Sequence, residues 1–208
     1  MVRAAGGDGS VIALDVTDAA AWSAAAARVA DLRGALHGLV NNAGEARNRP
    51  IEALKESDLA FLAQINCRGV RIGMDAMEGL LAEGQGAVIN ISSVAGIKAG
   101  PGGSAYSASK AAMIGLSKGY AAAYAASGMP IRVNSVQPGL IWSDSVADSL
   151  GDEGARQFCA MIEPKTPLGR VGTPEEVASA VAFLLSDAAA PVSGQAISVS
   201  GGLELGWP

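Results

Sequence analysis

Tyr106 and Lys110 stand four residues apart in the run YSASK, a spacing that puts both side chains on one face of a helix. The pair joins a phenol to an ammonium. A phenol with an ordinary pKa of about 10 is a poor base at neutral pH, and a cation close by favours its phenolate. Ser92-Ser93, Asn41-Asn42-Ala43-Gly44 and Pro138-Gly139 are the other polar signposts. Each has a plainer reading when taken alone. A Tyr followed by Lys one turn later is common on a solvated helix face. Asn-Asn-Ala-Gly suits a turn, because Asn and Gly both tolerate positive φ. Ser93 could cap local backbone, and Asn66 could face solvent from a long helix.

Such groups act together only if a scaffold gathers them. Short β-branched runs at Val11–Val16, Leu36–Asn41, Ala87–Ser92, Ile131–Val136 and Ala196–Ser200 are compact, apolar and bounded by Gly, Pro or polar residues. That is the pattern of buried parallel strands. Helical stretches lie between them: Asp18 to about Arg33, Ser57 to about Glu83, and Ala105–Ser127. A further helix starts at Thr173-Pro174-Glu175-Glu176, with Thr173 as N-cap, Pro174 at the first position and Glu176 completing a capping box. The alternation predicts an α/β fold, a doubly wound parallel sheet in one domain spanning 1–208. The polar signposts then fall at carboxyl ends of strands, the edge where open α/β sheets bind ligands. The stretch Ile141–Gly172, irregular and rich in Gly, Asp and Pro, is placed to form a substrate lid.

Composition narrows the partners. Half of the 208 residues are hydrophobic and 17% charged, so the chain can build a core. A net charge of −5 argues against nucleic acid or an anionic membrane as partner. One histidine, His37, and two cysteines, Cys67 and Cys159, suit neither a His-rich metal site nor a disulfide framework. His37 is expected at the surface and Cys67 in helix packing. No apolar run reaches spanning length, and the expected location is the cytoplasm.

The order LDVTD, NNAG, NISS, YSASK, Pro-Gly-x-Ile and the C-terminal SGQ…SGG resembles the short-chain dehydrogenase/reductase family over nearly the whole chain. The resemblance implies a Rossmann-like sheet, NAD or NADP as cofactor, and interconversion of a small-molecule alcohol and ketone. By it, Asn66, Ser93, Tyr106 and Lys110 correspond to the catalytic tetrad. The thirteen-residue step to Tyr106 selects Ser93 over Ser92. Tyr106 would be general acid/base, Ser93 would hydrogen-bond the substrate oxygen, Lys110 would hold the nicotinamide ribose, and Asn66 would position a water. Asp15 and Val16 match the adenine-contacting pair. Asn42, Ala43 and Gly44 match the backbone lining the cofactor, with Ile141 and Ser143 at the nicotinamide amide. Trp142, Phe158, Met161 and Ile162 suggest an apolar pocket wall, or lid packing. A homodimer or homotetramer through the two long helices is implied.

The N-terminal region departs from the family. Its opening strand, Gly-rich turn and helix have no counterpart before Asp15, so the fold is expected to be N-terminally truncated. Gly6-Gly7-Asp8-Gly9 precedes the run Val11–Val16 and reads as a tight connection, and Met1–Ala5 as the tail of a helix. The family's missing strands would lie between the first two runs present here, leaving about 14 Å, three strand spacings, between them. Either the sheet closes up or Val11–Val16 is orphaned. Three readings follow: a natural start upstream, which is favoured; a chain that has lost catalysis and survives as a non-catalytic oligomerising remnant; or a chain active as written.

Overall fold

The computed structural model describes residues 6–100 and 103–206, so the helix tail expected at Met1–Ala5 lies outside the described residues. Four parallel strands form one sheet in the order β1 (Gly38–Asn41), β2 (Ala87–Ile91), β3 (Arg132–Pro138) and β4 (Ala196–Val199). The helices are α1 (Ala19–Arg33), α2 (Glu56–Ala63), α3 (Val70–Glu83), α4 (Ser104–Ala126), α5 (Asp144–Ile162) and α6 (Pro174–Leu185).

Register explains why the strand runs are apolar throughout. Leu39, Val88 and Val133 are partners across the sheet and share one face. They pack with Trp22 of α1, Met74 and Leu81 of α3, and Met113 of α4. Ile89, Val136 and Ile197 point the other way, beneath Val177, Val181 and Leu184 of α6. Side chains alternate with a period of two, so a strand covered on both faces needs hydrophobes at successive positions. The start of α6 is as the capping box requires: the Glu176 carboxylate accepts the Thr173 N–H at 2.9 Å. Asp18 caps α1 by accepting the N–H groups of Ala20 and Ala21.

Two expectations are corrected. Val11–Val16 is not a strand. Val11 is 99% exposed, and the segment has no ladder partner, because nothing described lies beside it to accept one. Only its end is held: Leu14 and Val16 pack on the α1–α3 core, and the Trp22 indole donates to the Val16 carbonyl at 3.0 Å. The orphaned alternative is the one realised. β1 is in turn an edge strand, with Val40 40% exposed. The second correction concerns 141–172, expected to be irregular. Most of it is α5, bent at Gly151, whose φ of 70° supplies the break that merged periodicity hid.

β1 is seated by a close backbone approach. The Leu36 N–H donates to the Leu80 carbonyl of α3 at 2.9 Å, and a Cβ added to Gly84 would fall 2.3 Å from the Leu36 carbonyl oxygen. Backbone on both sides leaves little room to yield. Gly84→Ala is therefore expected to destabilise the fold by about 2 kcal/mol despite alanine's better helix propensity, read by urea denaturation. An unchanged or raised midpoint would show that this approach does not constrain β1.

Candidate active site

The turn after β2 starts with Ser93, whose hydroxyl accepts the Ala95 N–H at 3.1 Å and opens a short 3-10 turn, Val94–Gly96. Gly96 lets that turn lie on α4: an added Cβ would be 2.8 Å from the Ala111 nitrogen and the Lys110 carbonyl carbon. Ser92 faces the other way and donates to the Lys110 carbonyl at 2.7 Å. The adjacent serines thus divide the work, one fastening α4 and one opening toward the cavity. On α4 the expected spacing holds. Tyr106 and Lys110 share a face, and the ammonium nitrogen lies 5.7 Å from the centre of the Tyr106 ring.

Asn66 is not in a plain helix. The stretch expected as one helix from Ser57 to Glu83 is α2 and α3 joined by a π turn over Gln64–Gly69. A π turn re-aims side chains relative to an α-helix, and here it buries Asn66 completely. The Asn66 amide accepts the Glu45 N–H and donates to the Glu45 carbonyl and the Ser109 hydroxyl, each at 2.9 Å. It ties the turn after β1 to α4, so solvent exposure of Asn66 is excluded. Gly44 closes the arrangement. A Cβ there would fall 3.0 Å from the Asn66 Oδ1 and 3.3 Å from the Lys110 Nζ. Glycine keeps open the space beside the amine that a side chain would fill.

Electrostatics follow from burial. Lys110 is 5% exposed and donates to the Ile91 carbonyl at 2.9 Å. Burial disfavours its ammonium and draws it from 10.5 down to about 8, against a smaller upward pull from Cys67. The Tyr106 phenol, expected to be lowered by the lysine, is instead raised: burial dominates, opposed by a hydrogen bond with Ser93. Cys67 is likewise pushed up by burial, with its thiol on the Ser109 carbonyl at 3.3 Å, as packing rather than nucleophilic chemistry requires.

Ser93, Tyr106, Ile141 and Ser143 line one cavity of about 740 Å3, together with Val146, Phe158 and Ile162 of α5. The Leu140–Trp142 rim is fixed by pairing with Gly172: the Gly172 N–H donates to Leu140 and the Trp142 N–H to Gly172. Of the four residues suggested for an apolar wall, Phe158 and Ile162 line the cavity. Trp142 and Met161 are 41% and 52% exposed and do not. Val16, Asn42 and Ala43 line a second, smaller cavity of about 170 Å3 beside β1. Asp15 lines neither; its carboxylate accepts the N–H and hydroxyl of Thr17, which hold it below its ordinary value. The loop between the cavities is anchored at Asp58, 2% exposed and paired with Arg49 at 2.9 Å and Arg47 at 3.6 Å. Burial raises that carboxyl, but the Lys55 N–H and the guanidinium groups prevail and hold it low.

A nicotinamide–ribose unit fits what is present: an amine beside a space kept clear by Gly44, with Ile141 and Ser143 on the far rim. A pyrophosphate finds less. The N-terminus of α1 is already capped by the Asp18 carboxylate, so it offers an anion neither free N–H groups nor a favourable charge. Ser109 and the Glu45 backbone escaped the sequence reading. Ser109 could have been suspected from its place one residue before Lys110, whereas nothing in the sequence marks a π turn. Among the described residues no group of three or more His, Cys, Asp or Glu could hold a metal, and no helix is long and apolar enough to cross a membrane.

Comparison with known proteins places this geometry among enzymes. Residues 1–204 match a family model described as enoyl-(acyl carrier protein) reductase. The chain is 39% identical over 203 residues to 3-oxoacyl-[acyl-carrier-protein] reductase of Staphylococcus aureus, covering 97% of this chain and 80% of that protein. It is 39% identical over 194 residues to 4-formylbenzenesulfonate dehydrogenase of Comamonas testosteroni, covering 92% and 76%. Among solved structures, gluconate 5-dehydrogenase from Burkholderia cenocepacia, in complex with NADP and tartrate, superposes with a TM-score of 0.87. It shares 32% identity over 99% of this chain and 79% of that one.

The buried amine gives a stability test. Its folded pKa of about 8 lies below the ordinary 10.5, so the fold binds the proton less well than the unfolded chain does. Below about pH 8 the fold carries an ammonium that it disfavours, and stability from this site rises as pH climbs from about 8 toward 10.5. Lys110→Met is expected to raise the Tm at pH 7, by about 1–3 kcal/mol of stability, with the advantage closing as the pH passes about 10. A Tm lowered at pH 7 would contradict the burial penalty.

Proposed function

The chain belongs to the short-chain dehydrogenase/reductase family, and from that membership we propose that it interconverts a secondary alcohol and a ketone, with Tyr106 as general acid/base. It is an NAD(P)-dependent oxidoreductase with an α/β, Rossmann-like fold. The observation that carries the finer reading is that Ser93 and Tyr106 line the same large cavity with Lys110 buried behind the phenol ring.

A nicotinamide held at this site would supply the hydride chemistry. The protein's own groups handle the oxygen and its proton. Ser93 hydrogen-bonds the substrate oxygen as charge develops on it, and Tyr106 delivers or removes the proton there. Because burial raises the phenol, Tyr106 is protonated at neutral pH and ready to donate to a ketone; alcohol oxidation, which needs the phenolate, gains rate as pH rises. Lys110 would hold the ribose hydroxyls, Asn42, Ala43 and Gly44 would line the cofactor with backbone, and Ile141 and Ser143 would meet the amide. Val16 would line the adenine side, and Asp15, which holds Thr17 through one carboxylate oxygen, would accept from the adenine through the other. Asn66 acts by holding the Glu45 turn and Ser109 in place. Pairing of copies through α4 is supported by its face of small residues, Ala112, Gly115, Gly119 and Ala123, which forms a shallow groove beside Tyr120.

Tyr106→Phe removes the proton donor and little else. With saturating NADH or NADPH, ketone turnover is expected to fall roughly 10²–10⁴-fold while the circular dichroism spectrum and dinucleotide affinity stay near those of the parent chain. Ordinary turnover by that variant would assign the proton to another group.

A further inference from the structure

The charges around the large cavity point to its substrate. We propose that the cavity takes a small ketone or secondary alcohol carrying one anionic group, held by Lys165 and Lys98 away from the reacting carbon. This rests on the reading of Ser93 and Tyr106 as the reacting end.

Three charged side chains line the cavity: Lys98, Lys165 and Glu204. Several arginines elsewhere on this acidic chain are matched by carboxylates. Arg33 pairs with Asp8, Arg71 with Asp75, Arg156 with Glu153, and Arg170 with Glu176. Among the described residues, neither Lys98 nor Lys165 has a carboxylate within ion-pair distance. Lys98 does not simply extend into solvent. Its ammonium leans over Gly206, where an added Cβ would be 2.6 Å from the nitrogen, and Gly206 is itself part of the cavity wall. A compact lysine charge with free donors suits a diffusing anion better than a paired guanidinium does.

Glu204 sets the count. Its carboxylate takes the Ser200 hydroxyl, which opposes burial and holds the group below its ordinary value, so it remains anionic. Two cations against one fixed anion leave room for a single negative charge. Val146, Phe158, Ile162 and Leu203 line the same cavity, and such a wall suits a substrate with a hydrocarbon spacer.

The test compares 5-oxohexanoate with its methyl ester, two ketones alike except for charge. The 208-residue chain with saturating NADH or NADPH is expected to favour the acid in kcat/KM. Lys98→Gln/Lys165→Gln should lower the acid-to-ester ratio by roughly five- to twentyfold, with each exposed ion pair giving up to about fivefold. Raising the ionic strength should erode the preference of the parent chain and leave that of the double variant flat. A ratio near one in the parent chain, or one unmoved by the double substitution, overturns the proposal. Should neither compound be reduced, saturation-transfer NMR decides the anion apart from turnover and cofactor binding. Binding of the acid alone, lost in the double variant, upholds it; equal signals from acid and ester overturn it.

Discussion

A primary amine buried at the junction of β2, α4 and the turn after β1 governs this molecule. Water solvates an ammonium far better than a protein interior does, so Lys110 can be kept in place only by geometry fixed elsewhere. The Ile91 carbonyl at the end of β2 takes one of its protons. Ser92, the next residue, clamps the carbonyl of Lys110 itself. Gly96 brings the following turn onto the same helix, and Gly44 clears the space in front. One strand end thus supplies a partner for the amine, a clasp for its helix and, in Ser93, the hydroxyl that meets the phenol. The cost of burying charge is met by an arrangement whose pieces have little other purpose.

The π turn belongs to the same arrangement. Asn66 is fully buried with its hydrogen-bonding directed to Glu45 and Ser109, and so couples the β1 turn to the residue preceding Lys110. An uninterrupted α-helix would carry that amide on a different heading. By contrast, the region before α1 makes few such commitments. Val11 is solvated, Asp15 satisfies Thr17, and β1 has one neighbour only. The structure is therefore firm around Lys110 and Asn66 and loosely held before α1.

Much of this was legible in the sequence because it depends on short range or on periodicity. The Thr173 capping box, the strands through Val88–Ile89 and Val133–Val136, and the shared face of Tyr106 and Lys110 all follow from spacing. Val11–Val16 was misread because a strand needs a neighbour as well as a composition, and composition was all the sequence displayed. The π turn at Gln64–Gly69 was hidden for a related reason, since Asn66 there bonds Glu45 and Ser109, both far off in sequence; the kink at Gly151 is a local backbone conformation that helical spacing does not mark. The direction of the Tyr106 shift also required the fold, since it is set by how deeply the phenol is buried, which spacing does not show.

The claim that the site is organised about a buried, weakened ammonium is tested most directly by titrating Lys110 itself. Lysine side chains labelled with ¹³C at Cε can be followed by NMR across the alkaline range, with Lys110 assigned from the spectrum of Lys110→Met. This amine is expected to titrate near 8. A Lys110 that titrates at the ordinary lysine value of 10.5 would contradict the claim.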